Sequence, residues 1–112
     1  MALYLTQVSY TPESWAGLMH EPRDRRKDLK PFFEAAGLRL IDMYFTFGEN
    51  DAIVLSEGDN VAAAAVSVAA AAAGGVSDIQ TVVLLTVDEM IEALRKAEGL
   101  PYRAPAEHAV TA

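Results

Sequence analysis

Residues 43–55 read MYFTFGENDAIVL. An aromatic-rich run, a knot of turn formers and an aliphatic run, in that order, predict two strands folded about a tight turn. The strands extend over 38–47 and 52–57. In the turn, Gly48 and Asn50 are placed to supply positive φ, and Asp51 to accept from nearby backbone amides.

Downstream, Gly58-Asp59-Asn60 is a turn that also offers an N-cap. The run VAAAAVSVAAAAA (61–73) is then a helix, and Gly74-Gly75 ends it in a left-handed cap. As a helix these residues rise about 20 Å, short of the ~30 Å hydrocarbon core of a bilayer, and alanine is only weakly apolar. IQTVVLL (79–85) is a further strand. Thr86 caps a last helix whose Asp88 and Glu89 begin it and whose Arg95 and Lys96 end it, signs that complement the helix dipole.

Upstream, residues 3–10 form a first strand. A helix starts at Thr11-Pro12 with Trp15, Leu18 and Met19 as apolar contacts, and Pro22 interrupts it. Leu29, Phe32, Phe33 and Ala36 then recur at i, i+3, i+4 and i+7, one face of a helix that Gly37 stops. Pro31 lies inside that pattern and is expected to kink it. The order βαββαβ plus a terminal helix predicts an α+β fold, a ferredoxin-like sandwich of one antiparallel sheet with helices on one face.

Side chains alternate across a strand, so each strand divides into two sets. Leu38, Leu40, Asp42, Tyr44 and Thr46 face one way; Arg39, Ile41, Met43, Phe45 and Phe47 face the other. Ile53 and Leu55 oppose Ala52 and Val54, and Val83 and Leu85 oppose Val82 and Leu84. Both faces are apolar, yet this fold has helices for only one. A bare face of that kind, several hundred Å², exceeds what soluble monomers usually expose. The expected cover is the same face of a second copy, giving a homodimer with a barrel-like core. The competing expectation is a monomer whose last helix and tail fold under the sheet.

Composition narrows the function. The formal charge is −7, against a nucleic-acid partner or an anionic membrane surface. There is no cysteine, so disulfides, thiol catalysis and thiolate metal sites are absent. No cofactor motif or metal-ligand spacing stands out, and none is expected. The first residues lack the pattern of a secretory signal, which makes the cytoplasm the expected address.

The hairpin, the small-residue helix after it and the following GGVSDIQTVVLLT with VDEM resemble the GYD-domain family. That family's Gly-(x)-Tyr-Asp turn falls on Gly48, Asn50 and Asp51, so an asparagine stands at the tyrosine position and no aromatic role is carried over to it. The resemblance implies a dimeric α/β-barrel fold, with a GYD-type domain over 1–98 and a tail or arm over 99–112. It implies no particular reaction, since wider relatives include cofactor-independent monooxygenases and stress-response proteins.

Candidate site residues divide accordingly. Small side chains let the alanine helix lie close to the sheet, or else leave an apolar pocket beneath it near Tyr4, Trp15, Phe32 and Tyr44. Arg25 or Arg26 could lean over the helix–sheet groove and hold an anionic ligand, or belong to a solvated charged face. Candidate ligand contacts are therefore Trp15, Arg26, Phe32, Tyr44 and Asp51. Candidate catalytic groups are His20, whose imidazole is the group most often used as a general acid or base, Asp51, beside Glu49, and Tyr44. Each has a plain structural reading as well: a helix-end histidine, a turn aspartate, a strand tyrosine. His108, in the tail, is assigned no role. The expected function is a homodimer binding a small apolar or aromatic molecule, with a small cofactor-free enzyme or a regulatory, partner-binding subunit as alternatives.

Overall fold

The computed structural model describes residues 1–106. Strands β1 (Ala2–Tyr10), β2 (Arg39–Phe45), β3 (Ala52–Gly58) and β4 (Val76–Leu84) alternate with helices α1 (Pro12–His20), α2 (Arg25–Ala36), α3 (Asn60–Ala72) and α4 (Val87–Glu98) in the order β1α1α2β2β3α3β4α4. Among the described residues the strands make one antiparallel sheet, ordered β2-β3-β1-β4. This is the ferredoxin-like α+β sandwich, with its first helix broken in two and a fourth helix appended.

The breaks and ends follow local chemistry. Thr11 accepts from the Ser14 amide at 3.2 Å to start α1, and Asp24 accepts from the Arg26 amide at 3.0 Å to start α2 after Pro22. Asp59 caps α3 through the Ala62 amide at 2.8 Å. At α4, Thr86 and Glu89 form a reciprocal capping box, 3.1 and 2.9 Å. Gly37 and Gly74 reverse the chain after α2 and α3 with φ of 95° and 80°, a region other residues enter at a cost. Pro31 sits on an exposed position of α2, and the helix continues past it to Ala36.

Two details of the hairpin differ from expectation. The turn is not tight: neither Gly48 nor Asn50 has positive φ, and a six-residue loop, 46–51, joins the strands. Hydrogen bonds close it, from the Thr46 amide to the Asp51 carbonyl at 2.8 Å and from the Thr46 hydroxyl to the Asn50 carbonyl. A loop of that length reaches its closure with ordinary backbone angles. Second, the register of β2 shifts between Leu40 and Asp42, with Leu40 opposite Ser56 and Asp42 opposite Leu55. The extra residue inverts the alternation beyond it. Leu38 and Leu40 therefore share the helix side with Met43 and Phe45, while Asp42 and Tyr44 share the far side with Arg39.

The helix side holds the core. Tyr4, Val8, Phe33, Leu38, Met43, Ala52, Val54 and Val66 are buried there, together with Ala62 and Ala63, whose small side chains bring α3 close to the sheet. The far side carries Leu3, Leu5, Ile53, Leu55, Val82 and Leu84, aligned across β1, β3 and β4 by the strand register. Among the described residues no helix packs on it.

The expectation of a last helix tucked under the sheet is not met. Only Leu85 and Thr86 separate β4 from α4, and every α4 residue is exposed. Its apolar stripe is open to solvent, with Val87 77%, Met90 46%, Ile91 41% and Leu94 57% exposed. The molecule consequently measures 69 × 28 × 24 Å with a radius of gyration of 18.9 Å. A compact chain of this length has about 13 Å.

Candidate functional site

A cavity with polar groups at its mouth lies between α1, α2 and the C-terminal half of α3, above the rim of the sheet. Tyr10 ends β1, and Thr11 turns the chain into α1. There the Thr11 amide and the Ser14 hydroxyl both donate to the Gly75 carbonyl, at 3.2 and 2.6 Å, so the start of α1 is tied to the loop after α3. The link holds two walls of the cleft apart at a fixed distance. Ala69, Ala70 and Ala73 form the α3 wall, and their missing side-chain volume leaves the space.

The outer part of the cleft is about 460 Å³. A smaller chamber of about 60 Å³ continues inward beneath it, walled by Val8, Phe33, Met43, Val54, Val66 and Ile79. Tyr10, Arg25, Leu29, Phe32, Ala70 and Val76 line both parts and form the throat. Phe32 and Phe33 meet edge to face with centroids 5.8 Å apart, which fixes the ring that walls the throat. An apolar floor with a few convergent polar groups is the usual form of a small-molecule site.

Charge at the mouth comes from α2 and the segment before it. Arg23 Nε donates to Asp28 Oδ2 at 2.8 Å, and Arg25 Nη1 donates to the same oxygen at 3.1 Å. Those two guanidiniums hold the Asp28 carboxyl below the usual carboxylate range. Burial raises the Tyr10 phenol above its ordinary value, with Arg25 acting in the opposite direction, so the phenol stays protonated at neutral pH.

The GYD domain family matches residues 4–94. The chain belongs to the GYD-domain family. Among solved structures, this GYD protein is similar to the one described as "crystal structure of FFRP-DM1", at 13% identity and a TM-score of 0.47, covering 76% of this chain and 100% of that one. No curated protein matches it at a significant level.

In this GYD domain the family turn acts as a clamp. Asp51 Oδ2 accepts from the Tyr10 amide at 2.8 Å and from Trp15 Nε1 at 3.3 Å, and the Asp51 amide donates to the Val8 carbonyl at 2.8 Å. One carboxylate thus ties the hairpin loop to β1 and α1. Trp15 packs edge-on to Tyr10 with centroids 5.2 Å apart and lies 6.4 Å from Phe45. Trp15 and Asp51 line a separate open groove of about 600 Å³ with Phe45 and Phe47, outside the cleft.

The other sequence candidates are scattered. Phe32 is in the throat. Arg26 is not: it pairs with Asp24 at 3.0 Å and Asp42 at 3.5 Å on the surface, and Arg25, one position earlier, leans over the groove instead. Tyr44 is on the far face, its hydroxyl donating to Asp42 at 3.3 Å, and His20 is exposed at the end of α1. His20, Asp51 and Tyr44 are therefore not brought together. Tyr4 is buried at the other end of α3, where its hydroxyl donates to Asn60. His108 lies outside the described residues.

Sequence reasoning missed Tyr10 and Val76. The available signal for Tyr10 was its place, an aromatic with a polar tip where a strand turns into a helix at the sheet rim. Among the described residues, no group of three or more His, Asp or Glu side chains is placed to hold a metal ion. No described helix is long and apolar enough to cross a membrane.

Proposed function

We propose that this GYD domain is a homo-oligomeric binder of a small apolar or aromatic molecule, which occupies the cleft between α1, α2, α3 and the sheet. The observation that carries the reading is the two-part cavity: an apolar inner chamber opening through a throat of Tyr10, Arg25, Leu29 and Phe32. Close packing is the rule in protein interiors, and space next to three alanines with phenol and guanidinium groups at its mouth departs from it.

Self-association is supported by two unpartnered apolar surfaces on one chain. The far face of the sheet and the stripe of α4 are both bare, and the two-residue junction keeps α4 off its own sheet. A second copy offers the matching surfaces for both, through a two-fold interface. Ligand and partner then use opposite faces of one sheet.

The test of the binding reading is a fragment screen read by amide chemical shifts, alongside native mass spectrometry of the protein as purified. Ligands are expected to shift the amides of Tyr10, Leu29, Phe32 and Val76. Ala70→Phe, which places a ring in the throat, is expected to abolish binding while thermal unfolding stays cooperative. Binding undiminished in Ala70→Phe, or no ligand for the wild type, would defeat the assignment.

A further inference from the structure

The charge lining the cleft runs opposite to the charge of the chain. The protein carries 16 Asp and Glu against 9 Lys and Arg. Around the outer cleft the ionisable side chains of ordinary charge are Arg23, Arg25 and Asp28, two cations and one anion. Both guanidiniums address the same Asp28 oxygen, and Arg23 holds it at the shorter distance, 2.8 against 3.1 Å. Arg23 also feels the Glu21 carboxylate, so Arg25 is the cation of the mouth with the weaker hold on an anion.

Arg25 is the group placed to meet a ligand. Its side chain is 30% exposed, against 41% for Arg23, 55% for Arg26 and 63% for Arg39. It is also the only one of those four that lines the inner chamber as well as the outer cleft. A guanidinium has five N–H donors, of which Asp28 takes one. The protonated Tyr10 hydroxyl, in the same throat, is a second donor. Two donors, one of them a guanidinium with N–H groups left free by Asp28, at the entrance of an apolar chamber describe a receptor for a group that accepts hydrogen bonds and carries one negative charge.

Resting on the cleft being the binding site, we infer that its ligand is an apolar or aromatic monocarboxylic acid. The hydrocarbon part lies against Leu29, Phe32, Val76 and the inner chamber, and the carboxylate is held by Arg25 and Tyr10. The planar guanidinium matches a carboxylate by paired N–H donors, a geometry that a lysine ammonium cannot reproduce. One guanidinium, with the Asp28, Glu21 and Asp51 carboxylates nearby, favours a monoanion over a dianion such as a phosphate monoester. The apolar inner chamber selects an acid with a hydrocarbon body over a small inorganic anion.

The experiment compares 1-naphthoate with its neutral counterpart 1-naphthamide by isothermal titration calorimetry. The proteins are the wild type, Arg25→Gln and Arg25→Lys. The wild type is expected to bind the acid roughly 10- to 100-fold tighter than the amide, the range for a hydrogen bond to a charged group. In Arg25→Gln the acid is expected to lose far more affinity than the amide, so that the preference vanishes, while a cooperative thermal transition shows that the variant is folded. Arg25→Lys is expected to restore part of the preference, and added salt to weaken the acid more than the amide.

Equal binding of acid and amide by the wild type overturns the inference and leaves the cleft as an apolar site. A preference that survives in Arg25→Gln overturns it as well, because another group must then hold the carboxylate. If neither compound binds the wild type the inference fails, and failure of the fragment screen separately removes the binding reading beneath it.

Discussion

Leu55→Glu tests what covers the far face of the sheet. Leu55 pairs with Leu5 across β1 and β3, and Leu5 pairs in turn with Val82 on β4, so the substitution lands in the middle of the apolar surface. Fully burying an aliphatic side chain is worth about 1.5–3 kcal/mol. Leu3, Leu5, Ile53, Leu55, Val82 and Leu84 are already half-buried by their neighbours. If about 1 kcal/mol remains for each, pairing two copies gains about 12 kcal/mol, which falls within the ~4–15 kcal/mol that association costs in lost freedom. On the far face alone gain and cost are of the same size, so the exposed α4 stripe supplies the margin that favours the dimer.

A two-fold interface would bury the new carboxylate twice, and each buried ion costs several kcal/mol after relaxation. The dissociation constant should therefore rise by about a thousandfold or more. Sedimentation velocity over a micromolar to submillimolar series is expected to show a dimer or larger assembly for the wild type and a monomer for Leu55→Glu. Far-ultraviolet circular dichroism should be unchanged, because Leu55 faces away from the helix-side core. A wild type that sediments as a monomer throughout, or a Leu55→Glu that assembles like the wild type, refutes the reasoning.

Gly58→Ala should lower stability by about 1–3 kcal/mol in urea unfolding, because its Cβ would stand 2.6 Å from Leu38 Cδ2 and 3.2 Å from the Gly37 carbonyl; an unchanged midpoint would contradict that close approach. Asp51→Ala strands the Tyr10 amide and the Trp15 indole, so a loss of about 1–3 kcal/mol is expected together with a shift in Trp15 emission. Asp51→Asn, which keeps a carbonyl oxygen, should recover part of it. Thr86→Ala removes the capping box of α4 and should lower helical dichroism by weakening α4 alone, at about 1 kcal/mol. The Glu89 carboxyl is held below its ordinary range chiefly by the Thr86 amide. Since its folded-state pKa is depressed, the support it gives α4 is present above the unfolded value and is lost as pH falls through the folded one. Amide exchange in α4 should accelerate on acidification in the wild type, and Glu89→Gln should flatten that dependence.

Element order and fold were legible because caps and stops are local. Thr11, Asp59 and Thr86 each accept from an amide within three residues, and Gly37 and Gly74 declare themselves by the absence of a Cβ. The phase of β2 was not legible. One inserted residue between Leu40 and Asp42 inverts every assignment after it, and alternation read from sequence assumes no insertion. The same limit hid the site. Arg25 and Arg26 differ by one position, about 100° around a helix, and only the docking of α2 against α3 and the sheet decides which one turns inward. The bare far face, by contrast, was readable from alternation in β3 and in residues 79–84 of β4, because the one irregularity of β4 lies before them, between Val76 and Asp78.

The sheet separates the two proposed activities more firmly than either surface alone suggests. β1 sends Thr6, Val8 and Tyr10 toward the helices and Leu3, Leu5 and Gln7 to the far side; β3 keeps the same alternation, and β4 keeps it from Asp78 onward. A ligand at the throat of Tyr10 and Arg25 touches none of the side chains that a second copy would cover. Neither event moves the other unless the sheet itself changes twist, and a core packed around Tyr4, Ala52 and Val54 resists that. Monomeric Leu55→Glu should accordingly bind 1-naphthoate as the wild type does. A difference of tenfold or more would mean that the cleft is completed by the partner copy, and the α4 arm, which leaves the sheet from β4, would be the element to carry it there.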